Sequence, residues 1–446
     1  MKSLKNPNNN KKMKYYNLKD SQEKVDFRTA TIKGQGKDKG LFFPENIPQF
    51  EEEFIQNLHQ YSDEEIAYRC IKDFIGDEIP SEILQEIIAE TVSFEIPLQK
   101  ISDRISILEL FHGPTLAFKD IGARFMSRCL SYFLKDQDRK VTVLVATSGD
   151  TGGAVAHGFY GLPDINVVIL YPKNRVSPVQ EKQLTALGEN IFALEVNGSF
   201  DDCQDMVKQA FANEEINKKL FLTSANSINI ARWLPQQIYY LLALKQWQTS
   251  EKEAPIICVP SGNFGNICAG LLAHLRGLPA EHFIAACNAN EVVPEYLKTQ
   301  NFKPKKALAT LSNAMDVGDP SNFVRIMELF GQNFESLKNK ISGYSVNDKQ
   351  TMDTITEVYK KYKYILEPHS AVAFASMEQY LNGNPGKKGF ILGTAHPVKF
   401  PDAVEKAIKI KIEIPESLND LMKKEKKTVE INSDFEELRR FLLDKN

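Results

Sequence analysis

The sequence is short of the features that would commit it to a membrane, a nucleic acid or a metal. No apolar run approaches the roughly 18 residues that span a bilayer. Runs such as VTVLVA (141–146) and INVVILY (165–171) are of strand length. Lys and Arg together number 55 against 58 Asp and Glu, a net charge of −3, and the two signs are interleaved. No basic stripe is left for a phosphate backbone or an anionic lipid face, which makes small-molecule chemistry the expectation. The six cysteines (Cys70, Cys129, Cys203, Cys258, Cys268, Cys287) form no CxxC pair and no Cys/His spacing of a zinc site. Several lie inside apolar runs and read as reduced core residues of a cytosolic protein. The first fifteen residues, MKSLKNPNNNKKMKY, are basic and Asn-rich but lack the apolar centre of a secretory signal. Internal repeats are absent, and so are the GxGxxG and GxxxxGK[ST] fingerprints, which disfavours dinucleotides and ATP.

What is present is enough apolar residue for a large core. At 446 residues and 42% hydrophobic, the chain is long enough for two or three compact units without disulfides or structural metal. Residues 1–95 show helical periodicity over 48–60, 63–75 and 80–91, with Pro80 and Ser81 at a helix start. From about residue 96 the texture changes to short runs apolar on both faces: 141–146, 165–171, 190–196, 255–260, 283–287 and 389–393. Helical stretches over 121–134, 152–160, 178–188 and 229–246 separate most of them. This alternation predicts an α/β protein with parallel strands covered by helices, in two doubly wound lobes behind a mostly helical N-terminal domain. The charged stretch from Ile412, with KKEKK inside it, is expected to be a surface helix or tether.

Ligands in such sheets sit beyond the carboxyl ends of the strands. Three polar clusters fall there. SGNFGN (Ser261–Asn266) follows PIICVP and opens a helix, so glycine-exposed N–H groups and the helix end suit a single phosphate; a plain β–α turn is the competing reading. TSGDTGG (Thr147–Gly153) adds the hydroxyls of Thr147, Ser148 and Thr151 for a carboxylate or phosphate, or else it is a helix cap. LGTAHPVKF (392–400) places Thr394 just past a strand and His396 before Pro397, either as ligand contacts or as turn chemistry. Two further clusters accompany them. HGPTLAFKD (112–120) puts Lys119 at a helix start, where a desolvated amine becomes a nucleophile and base, and an exposed one is an ordinary surface lysine. NSINIARWLPQ (226–236) offers Arg232 for bidentate anion recognition, with Ser227 and Asn229 as neutral donors, or a cap followed by a solvated arginine. Lys182, in QEKQ, is a further cation.

In that order, HGPTLAFKD, ATSGDTGGA, NSINIARWLPQ, SGNFGN and LGTAHP resemble the motifs of the threonine synthases, pyridoxal-phosphate enzymes of the fold-type II, tryptophan synthase β-like group. MKYY (13–16) and DKGLFFPE (38–45) extend the resemblance from Met13 to about residue 410. It implies that Lys119 carries pyridoxal 5'-phosphate as a Schiff base. Gly262, Asn263, Phe264, Gly265 and Asn266 hold the cofactor phosphate, and Thr394 faces the pyridine nitrogen. Thr147, Ser148 and Thr151 match the loop receiving the substrate carboxylate, with Asp150 near the cofactor's 3′-oxygen, where many relatives carry Asn. Ser227, Asn229 and Arg232 match the substrate-phosphate site, with Lys182 as a weaker match. The implied reaction converts O-phospho-L-homoserine and water to L-threonine and phosphate, in the cytoplasm, by a monomer or homodimer. Domains follow as 1–95 (N-terminal), 96–135 with 235–446 (large cofactor-binding lobe) and 136–234 (smaller lobe). Residues 1–12 precede the family's usual start, which suggests a disordered extension or initiation at Met13. Serine or threonine dehydratases and cysteine synthases would share the lysine and glycine loop but need no site for a substrate phosphate. A non-catalytic homologue that binds phosphorylated amino acids would be colourless, whereas a cofactor bound to lysine makes the protein yellow.

Overall fold

A computed structural model of the chain describes residues 12–135 and 140–444, so the expectation for residues 1–12 lies, apart from Lys12, outside the described residues. The N-terminal region opens with a small antiparallel sheet that its periodicity does not announce. Tyr15–Asn17 runs between Asp20–Val25 and Phe42–Pro44. Strands of three residues are too short to show a period of two. They are fixed by burial of Tyr15 and Phe42 and by the Tyr15 hydroxyl, which donates to the Phe74 carbonyl at 2.6 Å. The helix Asp63–Ile75 starts where Ser62 accepts the Glu65 N–H, and Ile66, Cys70, Ile71 and Phe74 form its buried face. The helix Ser81–Thr91 packs between it and the helix Lys119–Leu134.

Two sheets form the rest. The larger runs in the order Ile341–Ser345, His282–Cys287, Ile256–Pro260, Gly389–Gly393, Ile105–Glu109, Leu98–Lys100, all parallel except the last, which lies antiparallel at the edge. The smaller, wholly parallel, runs Val429–Asn432, Ile191–Asn197, Ile165–Pro172, Val141–Ala146, Phe221–Thr223. The strands predicted from two-sided apolar runs lie where expected, because helices cover both faces.

The C-terminal boundary differs from the expectation. The expectation places residues 235–446 in the larger lobe, but Val429–Asn432 pairs with Leu194–Asn197 of the smaller sheet. Leu438 and Leu442 of the helix Phe435–Asp444 are fully buried in the same core as Cys203 and Met206. The tail is therefore an edge strand and a packed helix, held at its charged start by Lys426, which pairs with Glu181 and Glu195. The expected helix over 229–246 is also interrupted. Pro235, which has no N–H and crowds the preceding turn, divides it into Ile230–Trp233, a 3₁₀ turn at Leu234–Gln236 and the helix Gln237–Trp247.

Candidate active site

The lysine is positioned by a turn built around a buried carboxylate. Asp120 accepts from the Thr115 N–H at 2.9 Å and from the Thr115 hydroxyl at 2.5 Å. Gly113 leaves room for it, since a Cβ there would lie 2.5 Å from an Asp120 oxygen. The segment that follows pairs with the one leaving the strand Gly389–Gly393: Ala117 bridges Ala395, the His396 N–H donates to Leu116 and the Phe118 N–H donates to the Thr394 carbonyl at 2.9 Å. This short pairing brings Lys119 and Thr394 together. The Lys119 side chain is 16% exposed, and its Nζ lies 3.9 Å from Asp150 Oδ2. Burial lowers the lysine's affinity for a proton; the Asp150 carboxylate opposes that, while Lys399 and Arg232 add to it.

Asp150 begins the helix Asp150–Phe159 and is itself buried. Its Oδ1 accepts from Lys399 Nζ at 2.8 Å and from Gln180 Nε2 at 2.9 Å. Against its burial, the charges of Lys399 and Lys119 hold the carboxyl far below the usual range. In the loop before it, Thr147 Oγ1 accepts the N–H groups of Gly149 and Gly152, both at 2.9 Å. Thr147 thus shapes the loop from within, whereas Ser148 and Thr151 remain partly exposed. Gly149, at φ 133°, occupies backbone space that favours glycine, and a Cβ there would strike the Gln180 side chain at 2.5 Å.

SGNFGN forms the start of the helix Gly265–Leu275, whose first N–H groups have no partner within the helix. Gly262 is closely covered, because a Cβ there would meet Met315 Cα at 2.6 Å and the Ala314 carbonyl at 2.9 Å. Asn263 anchors the loop: its Nδ2 donates to Ser227 Oγ at 2.8 Å and its Oδ1 accepts the Ser321 N–H at 2.7 Å. Phe264 is buried with φ 61°. Asn266 Oδ1 accepts from the hydroxyls of Tyr239 and Tyr240 at 2.7 and 2.8 Å, and its buried Nδ2 has no partner.

Arg232 is 4% exposed. It donates to the Ala225 carbonyl, its buried Nε is unpartnered, and burial pulls it down to about 10. Gly122 gives it space, since a Cβ there would lie 3.1 Å from that Nε. Ser227 is tied to Asn263, so the NSINIAR and SGNFGN loops form one wall. Asn229 is committed to the fold: its Oδ1 caps the Ala231 N–H and its Nδ2 donates to the Thr31 carbonyl at 2.8 Å. Lys182 turns away to the C-terminal segment, where its ammonium binds the Lys424 carbonyl. His396 caps the turn Pro397–Lys399 through Nδ1, and burial pushes it down to about 4, which makes it a neutral structural residue.

Two features have no counterpart in the sequence reading. Lys399, inside the quoted LGTAHPVKF, is wholly buried beside Asp150. Glu367 accepts from His369 Nδ1 at 2.6 Å, and His369 Nε2 accepts the Ala314 N–H at 3.2 Å, which braces the segment lying over Gly262. EPHS, a helix start followed by apolar residues, was the available signal for this brace.

Comparison with known proteins covers nearly the whole chain. A family model described as pyridoxal-phosphate dependent enzyme matches residues 96–392, with threonine synthase N terminus over 14–92 and threonine synthase, C-terminal over 370–442. The threonine synthase of Escherichia coli is 45% identical over 97% of this chain and 99% of its own. The crystal structure of that enzyme superposes with a TM-score of 0.90 over 97% of this chain and 100% of the other. A pyridoxal-phosphate-bound threonine synthase from Brucella melitensis gives 0.89 at 33% identity, covering 96% of this chain and 98% of the other.

Proposed function

Because the chain belongs to the threonine synthase family of pyridoxal-phosphate-dependent lyases, we propose that its reaction takes place at the site formed by Lys119, Asp150, Arg232 and the SGNFGN loop. That reaction converts O-phospho-L-homoserine and water to L-threonine and inorganic phosphate, the last step of threonine biosynthesis. The residues present suit the cofactor. A helix start with the orphaned Asn266 Nδ2 matches a phosphate, and a buried lysine with lowered proton affinity matches its aldehyde. When bound, pyridoxal phosphate supplies an electron sink for charge developing on the substrate carbons.

The protein's own residues do the rest. Gly262, Asn263, Phe264, Gly265 and Asn266 would hold the cofactor phosphate and Lys119 its aldehyde, with Thr394 and Asp150 as its further contacts. Ser148 and Thr151 receive the substrate carboxylate on the loop that Thr147 shapes. Arg232 and Ser227 receive the substrate phosphate, with Asn229 fixing the turn that carries them. Lys119 Nζ removes the Cα proton and carries protons from Cβ and to Cγ. The phosphate departs from Cγ toward the guanidinium of Arg232, and then acts as base for the water that adds at Cβ. The orphaned, buried Nε of Arg232 carries this assignment, because a charged donor without a partner is the state expected of a site made for an anion. The near-balanced charge fits a small-molecule substrate rather than a nucleic acid, and no helix among the described residues is long and apolar enough to cross a membrane; the reading is of a cytoplasmic enzyme acting as a monomer or homodimer.

The test is to incubate purified protein with O-phospho-L-homoserine and follow phosphate and threonine together. Equal release of both is expected, and Lys119→Ala should fold normally and lose roughly 10³-fold or more of that rate. Phosphate with 2-oxobutanoate and no threonine would show a lyase that does not direct water to Cβ, and no phosphate would point to another substrate.

A further inference from the structure

A second lysine, Lys399, stands beside Asp150 and is wholly buried. Lys399 ends the short turn Pro397–Lys399, and its side chain is 0% exposed. A buried ammonium needs charge compensation and acceptors for its protons. Lys399 has both: the Thr115 carbonyl at 2.7 Å and Asp150 Oδ1 at 2.8 Å. Gln183 Nε2 shares the same Thr115 carbonyl at 3.0 Å, and Gln180 Nε2 shares the same carboxylate oxygen. Lys119 is left with the more distant contact, 3.9 Å to Asp150 Oδ2, beyond direct hydrogen bonding. One carboxylate thus serves two amines, and the close geometry belongs to Lys399.

We propose that Lys399 is a positioning residue that takes up the charge of Asp150, so that Lys119 Nζ has no carboxylate within hydrogen-bond reach and is freer to give up its proton and attack a carbonyl carbon. This rests on the reading of Lys119 as the cofactor lysine. The charged groups facing Lys119 are Asp150, Lys399, Arg232 and Glu367; the charged and titratable groups facing Lys399 are Asp150, Lys119, Asp120, His157 and His396. The Lys399–Asp150 pair sums to zero, which leaves Arg232 as the nearby cation that disfavours a charge on Lys119, and Glu367 as the opposing carboxylate. Removing Lys399 alone would release Asp150 to Lys119 and favour the ammonium form of that lysine.

The experiment is competitive labelling of the full-length, cofactor-stripped protein with acetic anhydride across pH, with the Lys119 peptide read by mass spectrometry. The wild-type midpoint should lie below that of an ordinary lysine, about 10.4. Lys399→Met should raise it by a unit or more, seen as a tenfold or greater loss of Lys119 labelling at neutral pH. Lys399→Gln, which keeps a donor for Thr115 and loses the charge, should do the same. The double variant Lys399→Met with Asp150→Asn replaces the pair by neutral groups, a change that buried pairs tolerate, and should return the midpoint to the wild-type value. A role confined to packing would not be reversed by the second substitution. An unchanged or lowered midpoint in either folded single variant, or no restoration in the double variant, would overturn the proposal. If borohydride trapping instead places the cofactor on another lysine, the underlying reading of Lys119 fails, and the labelling result still reports the Lys399–Asp150 coupling on its own.

Discussion

A buried guanidinium with an unpartnered Nε costs about 1–3 kcal/mol for the missing acceptor, so Arg232 is held in a state that binding an anion would relieve. Replacing Arg232 with Ala should raise KM for O-phospho-L-homoserine about 10- to 100-fold, as expected for loss of a charge-assisted contact, with a smaller change in kcat. Steady-state kinetics checks this, and unchanged KM and kcat would remove Arg232 from the site. Lys119, Asp150 and Arg232 were legible in the sequence as members of ordered motifs. Lys399 was not, because a lysine two residues after a histidine–proline pair carries no local mark of burial; only the fold brings it to Asp150. Lys182 shows the opposite case, a basic residue at a plausible position whose ammonium the C-terminal segment takes. Asn229, read as a donor to substrate, spends both its polar ends on the backbone.

Among the elements, the SGNFGN loop is the most constrained. Met315 and Ala314 lie so close over Gly262 that even a methyl group there must displace backbone. Gly262→Ala is expected to weaken cofactor binding by about 10- to 100-fold through overpacking of about 1–3 kcal/mol, with a melting temperature lowered by a few degrees. Fluorescence titration of the cofactor-free protein measures the affinity, and a wild-type value would mean that the loop does not touch the cofactor phosphate. The strands bounding this loop and the TSGDTGG loop were readable because central parallel strands are apolar on both faces. Ile341–Ser345, with sequence ISGYS, was unreadable for the converse reason, being an edge strand with a glycine and two serines. The segment over 229–246 had a helical pattern that Pro235 breaks, an interruption visible as a residue but not as a change of period.

For the whole molecule, two lobes are joined by chain that crosses between them more than once, and the tail returns to the smaller sheet. Composition could not reveal that return, since the residues the tail buries in the smaller lobe's core, Ile431, Leu438 and Leu442, are scattered among charged ones. Burial also sets the acid behaviour. His157, His282 and His396 are each pushed from an ordinary value near 6.5 down to about 4, chiefly by desolvation. Below pH 6.5 the unfolded chain therefore binds protons that the folded one refuses. The stability these three rings contribute is present above pH 6.5 and should be lost progressively as the pH falls toward 4, with a slope of up to about 1.4 kcal/mol per pH unit for each histidine, reduced where a ring is partly exposed and partly offset by Asp316, whose carboxyl burial raises to about 6. Urea unfolding between pH 7.5 and 4.5 would contradict this if the midpoint stayed constant. One lysine among many is expected to carry the cofactor and its proton transfers. Borohydride reduction of the cofactor-loaded protein, followed by proteolysis and mass spectrometry, identifies it. The reduced pyridoxyl group should be found on Lys119; finding it on Lys182, Lys399 or any other lysine would place the chemistry elsewhere.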